Sequence, residues 1–219
     1  MPDDLNTEDP NNDEPGAEVS PRWVTWRRSV NLDEYDRRWE AMVERGESVH
    51  GEMDFIDRCV NGVKVDILDA GCGTGRLAIE ATRRGHHCVG VDLDRNMIER
   101  ARTKAPHITW VHADLSNLDL GTTFDVAVMA GNIPLFCAPG TQALIIESLT
   151  RHLRSGGLLI SGFSLEKRTG AYTATDFDHH AVAAGLRRYA WYPAWDTDLN
   201  TESANAVELD DYAVLVYQR

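Results

Sequence analysis

The sequence is poor in cysteine, lacks long apolar runs, and has no lysine or arginine among its first twenty residues. Its four cysteines form no C-x-x-C pair, so we expect neither a disulfide framework nor a bound metal. No run approaches the roughly 18 apolar residues of a membrane span, and no basic segment leads into an apolar leader. We therefore expect a cytoplasmic protein with no membrane partner.

Acidic residues outnumber basic ones, 35 against 22, which gives a formal net charge of −13. Seven of the acids lie within residues 1–20, a segment with almost nothing to bury, and we predict a disordered acidic tail there. A chain with this charge repels polyanions, so we expect no nucleic-acid partner.

Short apolar runs and helix-like stretches alternate from residue 65 onward. Strands are predicted at 65–70, 87–92, 108–113, 124–130 and 157–163, with helices at 74–84, 94–104 and 141–154. Strands joined by helices form a parallel sheet with helices on both faces. After a helix at 178–184, two strands at 187–195 and 211–218 follow without a helix between them, so they must pair antiparallel.

The predicted fold is a single α/β domain over residues 21–219. It has a Rossmann-like seven-stranded sheet of five parallel strands plus a C-terminal antiparallel hairpin, with helices on both faces. Helical spacing of apolar residues over 30–59 predicts one or two short helices within an N-terminal cap at about 21–60. The aromatic residues of this cap are expected mainly to pack on helix faces, with one or two covering a pocket: Trp23, Trp26, Tyr35 and Trp39.

A glycine-rich turn, Gly71-Cys72-Gly73-Thr74-Gly75, follows the first predicted strand and opens a helix. Glycines let the backbone approach a ligand closely, and the first turn of a helix has unpaired N–H groups. A tight turn without any ligand explains the same pattern. The turn alone is therefore weak evidence for a binding site.

Acidic residues follow the next two strands. Asp92 ends the second strand, 23 residues after Asp69, close to the offset of about 20 at which an acid takes a ribose diol. Asp94 is expected to cap the following helix, and Asp114 comes after the third strand. Ligands of open α/β sheets lie outside the carboxyl ends of the strands, so these positions predict a crevice for a nucleoside-type ligand.

The strings LDAGCGTG, GVDLD, HADL, FDVAVMAGN and SGGLLISGF resemble the successive motifs of class I S-adenosylmethionine-dependent methyltransferases. The resemblance covers about residues 62–165, and the terminal hairpin is similar to that family's reversed last strand. It implies S-adenosylmethionine as cofactor and S-adenosylhomocysteine as product. Because the chain is acidic and has no appended recognition domain, we expect a small-molecule methyl acceptor, reacting at oxygen or nitrogen.

The resemblance also implies which residues bind the cofactor. The methionine part is implied to lie against Asp69, Gly71, Cys72, Gly73 and Gly75. The ribose and adenine are implied to contact Asp92, Leu93, Asp114 and Leu115. The sulfonium is implied to lie beside Gly131 and Asn132.

The segment Gly46–Glu52 has the pattern G-x-x-x-H-G-E and is similar to a segment of uncharacterised actinobacterial methyltransferases. On chemical grounds, His50 is a candidate catalytic base that accepts a proton from the methyl acceptor. Glu52 is a candidate to bind the cofactor's ammonium group or the acceptor. A structural interpretation stays open, in which Gly51 ends a helix and His50 caps it.

Two other functions stay open on the sequence. One is a non-catalytic module that binds S-adenosylmethionine, and the other is a nicotinamide-dependent oxidoreductase. The oxidoreductase is disfavoured because its turn follows G-x-G-x-x-G, whereas here the third glycine comes one residue early. No lysine or arginine in the turn itself awaits a phosphate, although Arg76 follows it directly.

Overall fold

The computed structural model describes residues 19–166, 170–204 and 209–219. The acidic tail predicted for residues 1–20 lies outside the described residues except for its last two. Ser20 is only 3% exposed and caps the first helix, which begins at Pro21.

The sheet has seven strands in the spatial order β3-β2-β1-β4-β5-β7-β6. The strands are β1 (Asp66–Ala70), β2 (His87–Asp92), β3 (Thr109–His112), β4 (Phe124–Met129), β5 (Leu153–Ser164), β6 (Arg187–Tyr192) and β7 (Tyr212–Gln218). Strands β1 to β5 are parallel, and β7 pairs antiparallel with both β5 and β6. The predicted fold, five parallel strands followed by an antiparallel hairpin, is confirmed.

Helices cover both faces of the sheet and define two apolar cores. They are α3 (Gly51–Cys59), α4 (Arg76–Arg83), α5 (Arg95–Lys104), α7 (Gln142–Arg151) and α8 (Ala174–Ala183). One core joins the sheet to α3, α4 and α5, and the other joins it to α7 and α8. Successive β-strand residues alternate between the two cores, as Ile67 and Leu68 do in β1, since side chains of a strand point to opposite faces.

Three helices precede β1: two of them lie within residues 30–59, where one or two were predicted, and one lies before that range. They are α1 (Pro21–Ser29), α2 (Leu32–Glu44) and α3. α1 has no buried residue and α2 has only Leu32, whereas α3 buries Met53, Phe55 and Ile56. The first two helices therefore lie on the surface of the domain, and the third is part of its core.

Two short elements were not predicted from the sequence, a 3-10 turn at Leu115–Asn117 and a four-residue helix α6 (Ile133–Phe136). Both follow parallel strands at the carboxyl edge of the sheet. Across the chain segments that the structure describes, no helix is long and apolar enough to cross a membrane.

Candidate functional site

The glycine turn brings the ends of β1 and β2 together. Gly71 and Cys72 donate their backbone N–H groups to the Val91 carbonyl, at 2.8 and 2.9 Å. Gly71, Gly73 and Gly75 all have positive φ, between +54° and +88°, which favours glycine. At Gly75 an added Cβ would also lie 2.5 Å from the Trp110 ring, so the turn leaves no room for a side chain there.

Asp92 is held at this junction by backbone donors. Its Oδ2 accepts from the Gly73 N–H at 2.7 Å, and its Oδ1 accepts from the Asp94 N–H at 2.9 Å. The residue is 8% exposed, and burial raises the pKa of its carboxyl to about 6. A carboxylate fixed in this way is suited to accept further hydrogen bonds from a diol.

Asp94 has the separate role that was predicted for it. Its side chain accepts from the backbone N–H groups of Asn96 and Met97, which confirms that it caps α5. It is fully buried and also forms an ion pair with Arg27 of α1.

Asp69 is a buried acid with an unsatisfied oxygen. It is 2% exposed, and its Oδ2 has no hydrogen-bond partner among the described residues. Burial raises the pKa of its carboxyl to about 7, although Arg76 acts in the opposite direction. A buried oxygen without a partner is costly, and it fits a site that receives a positively charged ligand group.

Two adjoining cavities open at the carboxyl edge of the sheet. The first, here called the acidic cavity, has a volume of about 230 Å³ and is lined by Asp92, Leu93, Asp114, Leu115 and neighbouring residues. The second, here called the roofed cavity, has a volume of about 480 Å³. They share lining residues, among them Gly71, so they form one continuous site.

The cavities bring together nearly all the residues predicted to bind a cofactor. The roofed cavity is lined by Asp69, Gly71, Cys72, Gly73, Asp92, Gly131 and Asn132. Asp114 also caps the 3-10 turn, accepting from the Ser116 N–H at 2.8 Å. Gly75 lines neither cavity. It is the N-cap residue of α4 and lies against the Trp110 ring, so it contributes to the conformation of the turn.

Asn132 lies in the turn that ends β4. It has a positive φ of +71°, and its Oδ1 accepts from the Ser164 N–H at 2.7 Å. This bond uses the amide oxygen and fixes the side chain between β4 and β5. Gly131, also with a positive φ, precedes it, so the backbone turns sharply at the wall of the roofed cavity.

His50 is not brought to either cavity. Its Nε2 lies 3.8 Å from Glu80 of α4, whose pKa is lowered to about 2, first by the hydrogen bond from Arg83. His50 occupies the N-cap position of α3 without a side-chain capping bond, and Gly51 begins that helix rather than ending one. The geometry gives no support for His50 as the base.

Glu52 and Arg76 form an ion pair at the wall of the roofed cavity. Two guanidinium nitrogens of Arg76 contact the Glu52 carboxylate, one of them at 3.0 Å, and the guanidinium stacks over the Trp39 ring at 4.4 Å. Glu52 was predicted to lie at the site, whereas no role was predicted for Arg76. The position of Arg76 directly after Gly75 was the feature of the sequence that could have indicated it.

The roof of the second cavity comes from α1, α2 and α6. It consists of Trp23, Trp26, Tyr35, Arg38, Trp39 and Phe136. The ring centroids of Trp26 and Phe136 are 5.3 Å apart, and the Arg38 guanidinium lies 4.5 Å over Trp39. This cavity is lined by all four of the aromatic residues named in the sequence analysis, Trp23, Trp26, Tyr35 and Trp39, whereas only one or two of them were expected to line it.

The fold and this site together define an α/β protein that binds a nucleoside-type ligand across the ends of its parallel strands. Glycines follow β1, and acids follow β2 and β3. Within the described ranges, no group of three or more His, Cys, Asp and Glu side chains is placed to hold a metal ion.

Comparisons with known proteins show that the chain is similar to methyltransferases. Residues 67–157 match the family model of a methyltransferase domain. An uncharacterised methyltransferase of Mycobacterium tuberculosis is 31% identical over 134 residues, which cover 59% of each chain. A TehB-like S-adenosylmethionine-dependent methyltransferase from Corynebacterium glutamicum superposes with a TM-score of 0.72 at 29% identity, covering 85% of this chain and 97% of that one.

CalS10 from Micromonospora echinaspora, an amino pentose methyltransferase solved with S-adenosylmethionine bound, has a TM-score of 0.65 at 20% identity. Its alignment covers 87% of this chain and 97% of that one, and it shows a shared fold. Residues 67–157 therefore match a methyltransferase domain, and the fold of the chain is similar to that of S-adenosylmethionine-dependent methyltransferases. The chain spans about three fifths of the length of the curated mycobacterial relatives that it matches.

Proposed function

We propose that this protein transfers a methyl group from S-adenosylmethionine to a small-molecule acceptor, at oxygen or nitrogen. The observation that carries the proposal is the unpartnered, buried oxygen of Asp69 at the wall of a cavity beside the glycine turn. A cofactor with an ammonium group supplies the partner that this carboxylate lacks.

The described residues fit the rest of the cofactor. Asp92, already fixed by two backbone donors, has lone pairs left for the ribose hydroxyls. Asp114 is assigned to the adenine amino group. Apolar contact with the adenine is assigned to Leu93 and Leu115, which line the acidic cavity together with the two acids.

S-adenosylmethionine supplies a methyl group already activated by its sulfonium, so the protein's task is chiefly to orient the acceptor and to exclude water. Holding reactants in line can account for about 7–11 kcal/mol of a barrier. The aromatic roof and the turn at Gly131 and Asn132 enclose the position where the acceptor would lie. We assign no proton transfer to His50, because it lines neither cavity.

A small acceptor is supported by the enclosure of the roofed cavity under α1 and α2 and by the net charge of −13, which repels nucleic acids. Similar proteins named for small acceptors are CalS10, an amino pentose methyltransferase, and a trans-aconitate 2-methyltransferase from Azoarcus that is 28% identical over 170 residues. Each name describes the acceptor of that protein, and the two acceptors differ in chemistry.

The first test is calorimetric binding of S-adenosylmethionine and S-adenosylhomocysteine. We expect both to bind, and we expect Asp92→Ala to weaken binding by about tenfold or more, because it removes charge-assisted bonds to the ribose. The exposed residue Asp196 offers a matched control, and Asp196→Ala should leave the affinity unchanged. Absence of binding at millimolar concentration would contradict the proposal.

The second test separates an enzyme from a binding module. Purified protein and methyl-labelled S-adenosylmethionine are incubated with a small-metabolite extract, and the products are separated by chromatography. Label in a small molecule, absent with Asp92→Ala, is the expected result. Cofactor binding without any labelled product would favour the non-catalytic module.

A further inference from the structure

Arg38 is a solvent-exposed cation on α2 that lines the roofed cavity. Its guanidinium stacks over Trp39 at 4.5 Å and lies 5.7 Å from the Tyr35 ring centroid. Among residues 19–166, 170–204 and 209–219, no carboxylate lies within ion-pair distance of it. Arg76, the other arginine of the cavity, is instead neutralised by Glu52.

Trp39 supplies a second, independent observation. Its indole Nε1 is buried and makes no hydrogen bond of good geometry among the described residues, although the Tyr35 hydroxyl lies beside it. A buried N–H without a partner costs about 1–3 kcal/mol. Since Arg38 stacks on the same indole ring, a charged donor and an unsatisfied neutral donor lie together at one wall of the cavity.

The remaining roof is aromatic. Trp23, Trp26, Tyr35 and Phe136 line the same cavity, with Trp26 in edge-to-face contact with Tyr35 at 6.3 Å. Such walls bury flat apolar surface. The acids at this site are already assigned, Asp69 to the cofactor's ammonium group and Glu52 to Arg76, so neither is available to neutralise Arg38.

We propose that the methyl acceptor carries a carboxylate on a flat apolar body, and that Arg38 and the indole N–H of Trp39 bind that carboxylate. The inference rests on the proposed function, because it takes the roofed cavity to hold the acceptor. A guanidinium and an indole N–H are both donors to a carboxylate.

The test measures binding of probe molecules to the complex of the protein with S-adenosylhomocysteine, by calorimetry and tryptophan fluorescence. The probes are 3-hydroxybenzoate, 4-hydroxybenzoate, 2-aminobenzoate and 4-hydroxycinnamate, each paired with its own primary amide. We expect at least one carboxylate to bind about tenfold or more tightly than its amide. In Arg38→Met this preference should fall to within about twofold.

Arg37 is the matched control. It is the neighbouring exposed arginine of α2, its Nε donates to the Asp33 carbonyl at 3.1 Å, and it does not line the cavity. Arg37→Met should keep the full preference for carboxylates. No preference in the unmodified protein, or a preference that survives Arg38→Met, would overturn the proposal.

A further comparison excludes the cofactor's own carboxylate as the anion that Arg38 binds. S-adenosylhomocysteine carries this group, and 5′-methylthioadenosine lacks it. We expect Arg38→Met to change both affinities by less than about twofold. Weakened binding of S-adenosylhomocysteine alone would assign Arg38 to the cofactor and overturn the inference, whereas failure of the unmodified protein to bind either compound would instead contradict the proposed function.

Discussion

At the scale of the residue, two buried carboxyls govern how the site responds to pH. Burial raises the pKa of Asp69 to about 7 and that of Asp92 to about 6, from an ordinary value of 3.8. The folded protein therefore binds protons at these groups more tightly than the unfolded chain does. Between about pH 4 and pH 7 their contribution to the free energy of unfolding falls as pH rises.

Asp69→Asn removes the larger of these two effects. We expect the variant, measured without cofactor at pH 8, to have a higher unfolding midpoint, because a buried charge has been removed. Each kcal/mol gained corresponds to about 2–4 °C for a domain of this size. The difference between the two proteins should shrink as the pH is lowered toward 4, where Asp69 is protonated in the folded state and partly protonated in the unfolded chain.

The same substitution should weaken S-adenosylhomocysteine binding at pH 8, because the ammonium group loses its carboxylate. In the unmodified protein, affinity should decline as the pH falls through about 7, and in the variant this part of the decline should be missing. Asp119→Asn, at an exposed acid, is the control. An unchanged midpoint together with unchanged affinity would remove Asp69 from the site.

At the scale of the element, α1 and α2 are attached mainly by polar contacts. Ser20 donates to the Phe136 carbonyl at 2.7 Å, and Thr74 donates to Asp36 at 2.6 Å. Further ion pairs join α2 to α5, among them Asp33 with Arg100. Since α1 has no buried residue, its opening exposes little apolar surface, and it should open locally without global unfolding.

Ser20→Ala tests this attachment. The serine caps α1, accepting from the Trp23 N–H at 3.0 Å, and bonds to α6 at the same time. Loss of a cap costs about 1 kcal/mol, so amide exchange in α1 should become about fivefold faster while the unfolding midpoint barely changes. Ser29→Ala, at the exposed end of the same helix, should not alter exchange at the α1 N-terminus. Equal acceleration throughout the sheet would mean that α1 opens only with the whole protein.

The elements differ in how far the sequence predicts them. The strands of the sheet follow from apolar runs that end in glycine or acid, and β1 begins at Asp66, one residue after its predicted start. β5 begins at Leu153, four residues early, because pairing with β4 extends it through Gly156 and Gly157. α6 has four residues, too few for a helical period to be recognised.

The residues of the site also differ in how far the sequence predicts their location. Asp69, Asp92 and Asp114 are predictable because a strand end fixes where each residue lies. The location of His50 could not be predicted in this way, because the orientation of its side chain depends on a contact with Glu80 of α4, and no local sequence pattern indicates that contact. The roof could not be foreseen either, because the helical spacing of Trp39 does not reveal which surface the helix covers.

At the scale of the whole molecule, the closing hairpin is joined to the helical layer by a buried polar chain. Tyr217 of β7 is fully buried; its hydroxyl donates to Asp178 of α8 at 2.8 Å and accepts from the Trp191 indole N–H at 3.0 Å. Arg188 of β6 completes the chain by pairing with Asp178. These contacts connect β6, β7 and α8 far from the glycine turn.

Tyr217→Phe should lower the free energy of unfolding by about 1–3 kcal/mol, because it leaves the Trp191 N–H buried without an acceptor. Binding of S-adenosylhomocysteine should be unchanged, because Tyr217 lines neither cavity. Tyr189→Phe provides the control, since Tyr189 is 60% exposed on β6. A loss of affinity that matches the loss of stability would show that the hairpin and the site are coupled.

The position of β7 has a consequence for synthesis of the protein. It is the last strand along the chain, yet it lies between β5 and β6 and pairs with both. While the ribosome is still translating, β5 presents an open edge and β6 has no neighbour, so a nascent chain is exposed to pairing with other chains. A truncation that removes β7 would thus take out an interior strand and leave both β5 and β6 without the neighbour that they share.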